Sequence, residues 1–392
     1  MSHPGQGCLS GFCAQPGLGR QSPPMDTSQQ HSAPNGASAG LPGTGTDSPS
    51  RAPRYSMLDL VAVREGGTVR QALDLAVRTA QHVETLGYTR YWLAEHHNMP
   101  GIASSATAVL IGHIAGATQH IRVGSGGVML PNHAPLTVAE AFGTLAELYP
   151  GRIELGLGRA PGTDPMTMRA LRRDRIEREE DFPRDVAELQ RLLGPAQPGQ
   201  RLIATPGAGT QVPIWLLGSS LFSARLAAEL GLPYAFASHF APRFLMQALE
   251  LYRELFRPSA VLSRPYVAIG VPVVAASSDE EADYLASSTF QRVLGIVTGQ
   301  RGLLPRPVEN YMDSLHPQER AAIADFLGVA VIGGPQTMRE GLAQLARLTQ
   351  ADEFIMVSDV YEPELRLRSL ELTAAAMQSL PLDETARALE GQ

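Results

Sequence analysis

Tyr91-Trp92-Leu93-Ala94-Glu95-His96-His97-Asn98 is an apolar run that ends abruptly in a carboxylate and two adjacent imidazoles. A short hydrophobic strand with polar groups only at its C-terminal end is what a parallel α/β enzyme presents to a substrate. Upstream, residues 55–60 read as another strand. Between the two, Thr68 starts a helix whose apolar positions Val69, Leu73, Ala76, Ala80, Val83 and Leu86 recur at three and four until Gly87 stops it. Strand, helix and strand within roughly 30 residues make a βαβ unit and impose a parallel pair.

The cycle then repeats. Helices over about 105–117 and 136–148 lead to strands at 121–130 and 152–157. A longer charged helical segment at about 170–193 and a Gly/Pro-rich connection precede a fifth strand at 214–217, with its helix at 221–230. Further strands are expected at 234–238, 266–275 and 353–357. Eight strands alternating with helices over about 325 residues fit a closed (β/α)8 TIM barrel better than an open sheet. The segment at about 288–330 is too long for an ordinary connection, so an insertion is expected between strands 7 and 8, either placed to cover the barrel mouth or a mere structural excursion. Residues 1–52, rich in Gly, Ser, Pro, Gln and Thr, cannot offset the entropy of ordering and are expected to form a disordered extension. Residues 53–392 are expected to form the barrel domain.

Bulk properties narrow the function. A net charge of −7 gives no basic face for nucleic acid or an anionic membrane. Cys8 and Cys13 both sit in the polar extension and predict neither disulfide nor thiol chemistry. No apolar run of about 18 residues exists to span a bilayer, and the first residues lack the apolar core of a secretory signal. The expected location is cytoplasmic.

In a barrel the strand ends collect on one face, and their polar residues become one set: Asp59, Glu95, His96, His97, Gly126-Gly127, Arg159, Ser219, Ser220 and Ser223. Neighbours in a strand face opposite ways, so His96 and His97 are expected to do different jobs. A metal is not expected, because His-His with Glu lacks a third ligand at the usual spacing. An imidazole acting as general base needs only a pKa near neutrality and a proton in reach. Gly218-Ser219-Ser220 ends the fifth strand and opens a helix, so backbone N–H groups, hydroxyls and the helix dipole converge on one spot that favours an anion. Arg159, within Gly156-Leu157-Gly158-Arg159-Ala160-Pro161-Gly162, adds a guanidinium fork for phosphate oxygens. Gly126-Gly127, inside a buried strand, suggests a flat ligand lying against the backbone. His113 and His133 are read as structural.

The ordered set of Tyr91 to Asn98, VGSGGVMLP at 123–131, GLGRAPGTD at 156–164 and LGSS at 217–220 resembles the bacterial luciferase-like flavin monooxygenases, over residues 54–377. The resemblance implies reduced FMN supplied by a separate flavin reductase, with O2 as co-substrate. A flavin C4a-peroxide would pass one oxygen atom to a small organic substrate. It assigns His96 as the active-site histidine, with Glu95 and His97 as supports. Gly126 and Gly127 would lie beside the isoalloxazine, with a non-proline cis peptide expected there. Arg159, Gly218, Ser219, Ser220 and Ser223 would hold the phosphate, and Asp59, at the end of the first strand, would either help position cofactor or substrate or serve as a structural hydrogen-bonding residue. It also implies a homodimer. Ser219 stands where luciferase has an acidic residue and Gly158 where it has a reactive cysteine, which argues against light emission. The rivals are an F420-dependent dehydrogenase on the same fold and a flavin-binding protein without catalysis.

Overall fold

The computed structural model describes residues 52–160, 164–171 and 181–380. In chain order the elements are β1 (Arg54–Asp59), α1 (Val69–Thr85), β2 (Arg90–Leu93), α2 (Thr107–Ala117), β3 (Arg122–Met129), α3 (Pro135–Leu148), β4 (Ile153–Gly158), α4 (Pro165–Leu171) and α5 (Asp181–Leu193). There follow β5 (Ile214–Gly218), α6 (Leu221–Leu230), β6 (Tyr234–Phe236), α7 (Leu245–Leu255), β7 (Val267–Ala275), α8 (Asp279–Val297), α9 (Pro317–Phe326), β8 (Val331–Gly333), α10 (Pro335–Thr349), β9 (Glu353–Val357) and α11 (Pro363–Gln378). The expected extension over residues 1–52 lies outside the described residues, apart from Ala52.

Strands β1 to β7 and β9 close a parallel ring of eight. β9 completes it by pairing Glu353 with Arg54 on one side and with Ala268 on the other. The fold is the expected TIM barrel. Helix α1 starts where the sequence places it: the Thr68 hydroxyl accepts from the Gln71 N–H, and the Gln71 side chain accepts from the Thr68 N–H in return. Gly87, at φ 83°, turns the chain out of the helix.

Side chains alternate between two cores. Leu58, Trp92, Trp215, Ala235, Ala268 and Ile355 fill the barrel interior, where Trp92 and Trp215 meet edge to face at 5.1 Å. Met57, Tyr91 and Leu93 face the larger core shared with the helices. Below the interior layer Arg90, with no exposed surface, binds Glu353 through two hydrogen bonds of 2.7 and 2.9 Å and Glu154 through two of 2.8 and 2.7 Å. Burial works against its charge, but the two carboxylates outweigh it and raise its pKa above the ordinary value.

The insertion lies between β7 and β9, the seventh and eighth barrel strands, and carries α8, α9, β8 and α10. The three-residue β8, not anticipated from the sequence, pairs with Val273–Ala275 at the end of β7. The connection after α8 reaches past β9 to the loop that follows β1: the Leu304 N–H donates to Val63 O at 2.8 Å, and the Glu65 N–H donates to Leu304 O at 2.9 Å. The insertion therefore covers part of the mouth. Among the described residues no helix is long and apolar enough to cross a membrane.

Candidate active site

The inward parity of β2 continues through Ala94, and His96 lines the cavity beyond it. Glu95, 2% exposed, is a hub. Its Oε1 lies 3.0 Å from His97 Nε2 and 2.7 Å from His133 Nε2. One buried carboxylate oxygen thus fixes two rings, those of His97 and His133. His133, expected to be structural, belongs to this cluster instead. The chain brings it in from the turn after β3, a connection that local spacing cannot reveal.

Beside this wall Gly126 and Gly127 line the cavity, and the peptide between them is cis. A Cβ on Gly126 would stand 2.7 Å from Leu58 Cδ1 and 3.1 Å from Trp92, and one on Gly127 would stand 2.7 Å from Gly156 O. The backbone here is pressed into the barrel, with no side chain between it and the cavity.

The third wall joins the ends of β4 and β5. Arg159 holds its guanidinium over the Phe222 ring at 4.3 Å, and Phe222 lies in the first turn of α6. Ser220 is the N-cap of α6 in extended conformation, yet its hydroxyl makes no capping hydrogen bond. Ser223 is occupied inside the turn, donating to Ser220 O at 3.0 Å with Tyr234 Oη at 3.3 Å. Gly218 is required for that packing, since a Cβ would fall 2.2 Å from Ser223 Oγ. An arginine, an uncapped helix N-terminus and the Ser219–Ser220 turn therefore share one corner, suited to a phosphate.

These walls enclose a cavity of about 1520 Å³, above the usual range of about 300–1,000 Å³ for ligand sites. It has room for a cofactor and a second small molecule. Across the ring from β2, just beyond β6, stands His239, a cavity residue that the sequence did not single out. Its ring packs onto Gly270, where a Cβ would meet His239 Nδ1 at 2.2 Å. Burial, followed by the nearby His96 and Arg292, pushes its pKa down to about 4, so it is neutral at physiological pH. Arg292 is itself paired with Asp359 at 2.6 Å.

Asp59 departs from the cofactor-positioning expectation. It does not line the cavity; alternation along β1 points Leu58 inward and Asp59 into the helix layer. There its carboxylate accepts from the Tyr91 hydroxyl and from the Val61 N–H at 2.8 Å, and it pairs with Arg366 at 3.0 Å. Burial pushes its pKa up, but Arg366, Tyr91 and Val61 together hold it below the ordinary value. It joins β1 to α11 through Arg366, the structural one of its two expected roles.

The chain matches the family model described as luciferase-like monooxygenase over residues 54–352. A Bacillus subtilis protein, YvbT, is 52% identical over 320 residues, covering 81% of this chain and 95% of that protein. A luciferase-like monooxygenase of Escherichia coli is 48% identical over 326 residues, covering 83% and 97%. Among solved structures, apo-MsnO8 superposes with a TM-score of 0.74 at 34% identity, covering 84% of this chain and 99% of that one. Two more distant structures share the fold. The oxygenating constituent of 3,6-diketocamphane monooxygenase, solved with FMN, has a TM-score of 0.65 at 19% identity and covers 85% of this chain and 99% of its own. An F420-dependent secondary alcohol dehydrogenase has a TM-score of 0.58 at 14% identity and covers 83% of this chain and 99% of its own.

Proposed function

The chain belongs to the luciferase-like monooxygenase family, and from that premise we propose that it oxygenates a small organic substrate with O2, using reduced FMN delivered by a separate reductase. The observation that carries the reading of a phosphate-bearing flavin cofactor is the anion corner, where Arg159 over Phe222 stands beside the uncapped start of α6. A phosphate-bearing cofactor fits this corner, and the bare backbone at Gly126–Gly127 fits a flat ring.

When bound, reduced FMN supplies the electrons that activate O2. The chain does the rest. Arg159, Ser219, Ser220 and the first N–H groups of α6 would hold the phosphate, and the bare backbone at Gly126–Gly127 would leave room for a flat ring. His96, at the cavity wall, exchanges a proton at its imidazole with the reacting groups. Glu95 Oε1 fixes the His97 ring through Nε2 and so braces the same strand end. His239 stays neutral and offers hydrogen bonding without adding positive charge. The crossing segment around Leu304 limits the entry of water.

Cofactor titration followed by fluorescence tests the reading. FMN is expected to bind at least about tenfold more tightly than riboflavin, the difference being one charge-assisted phosphate contact. Tight F420 binding with no affinity for FMN overturns it in favour of a dehydrogenase. Reoxidation of bound reduced FMN at the rate of free FMN, with no substrate oxygenated from a broad panel, reduces the protein to a flavin carrier.

A further inference from the structure

We propose that Glu95, His97 and His133 form a site for one divalent transition-metal ion, Zn2+ in type, on the shoulder of the cavity. The sequence lacks a third ligand at metal spacing, and the fold supplies it. Glu95 Oε1, His97 Nε2 and His133 Nε2 all lie within 4.8 Å of one another. They come from two separate loops, after β2 and after β3.

The donor set is chemically selective. Two imidazoles and one carboxylate suit Zn2+, whereas Mg2+ and Ca2+ require oxygen ligands. Tetrahedral Zn2+ with bonds of about 2.0–2.1 Å holds its ligand atoms roughly 3.3 Å apart. The present contacts of 3.0 and 2.7 Å have to open by about 0.3 to 0.6 Å, and the two Nε2 atoms, within 4.8 Å of each other, have to settle at the same separation. The side chains that must move are the more exposed ones, His97 at 17% and His133 at 31%, while Glu95 stays fixed at 2%. That exposure also gives the ion an entry path and leaves its fourth position for water. His133 does not line the cavity, so the site is filled without using the phosphate corner, and the proposal stands apart from the choice of cofactor.

The test uses the full chain, treated with chelator, dialysed and titrated with ZnCl2 in a calorimeter, with Co2+ as an optical probe. One Zn2+ per chain is expected, with a Co2+ spectrum of four-coordinate type. His133→Ala and Glu95→Gln should each weaken binding by roughly 100-fold or more, because each removes a ligand from a set of three. His133→Cys replaces nitrogen with a thiolate ligand and should restore most of the affinity. It also separates loss of a ligand from loss of the fold. Absence of stoichiometric binding overturns the proposal. So does undiminished affinity in His133→Ala and Glu95→Gln, which would place the ion elsewhere, for example at Cys8 and Cys13.

Discussion

Replacing Arg159 with alanine isolates the phosphate contact from every other part of the cofactor site. The guanidinium is partly exposed, stacks on Phe222 at 4.3 Å and stands beside the N-terminus of α6. Its removal leaves Ser219, Ser220 and the helix N–H groups in place, so part of the anion affinity survives. The missing part is one charge-assisted interaction, worth about 1.5–3 kcal/mol, or roughly 10- to 150-fold in the FMN dissociation constant. Riboflavin, with no phosphate, loses only indirect support and should weaken by less than about threefold, since rim contacts are typically worth a few tenths of a kcal/mol. The readout is the ratio of the two dissociation constants by fluorescence quenching, at low and at high salt, because exposed ion contacts are screened. Arg159→Lys keeps the charge but loses the planar fork, and should fall between the two. Equal losses for FMN and riboflavin, or no loss of FMN, would refute the assignment of this corner to phosphate.

Gly218→Ala should lower the melting temperature and weaken FMN together, because the new Cβ falls 2.2 Å from Ser223 Oγ and 2.7 Å from Ser223 Cβ; overpacking of this kind costs about 1–3 kcal/mol. The double variant Gly218→Ala, Ser223→Gly should recover both, and failure to recover would show that the clash is not the cause. Arg90→Met should destabilise by about 3–5 kcal/mol in denaturant titration, since it leaves Glu353 without its Arg90 partner and Glu154 with Arg122, at 3.4 Å, as its ion-pair partner. Adding Glu154→Gln and Glu353→Gln to it should recover part of the loss, and no recovery would place its origin elsewhere.

The fold was legible because each strand is a local event bounded by turn residues, and the Thr68–Gln71 box and Gly87 mark their helix ends in sequence. β8 escaped because three residues carry no periodicity. The turn from Gly218 through Ser220 into α6 was legible for a related reason: strand, glycine, serines and helix are contiguous, so local spacing sets their geometry. The errors share a different cause. Parallel strands buried on both faces read as continuous apolar runs, and hydropathy cannot say which side of β1 faces the barrel. Asp59 therefore looked like a strand-end functional carboxylate. Its partner Arg366 lies 307 residues away, and only the pairing of Leu58 with Trp92 settles its direction.

His133 and His239 failed in the opposite sense, as residues passed over because nothing near them in sequence gives them a task. His133 gains one only when the turn after β3 is laid against Glu95, and His239 only when Gly270 on β7 leaves room for its ring. A strand-end residue is thus readable when its partner is local or its parity is fixed by a neighbour of known direction. Glu95 meets the first condition only in part, because its carboxylate oxygen meets two imidazoles and only one of them, His97, is near in sequence. A variant that changes only His133 is therefore a sharp probe of how this strand end works. It leaves the stretch from Tyr91 to Asn98 unchanged and alters a contact that the sequence could not display.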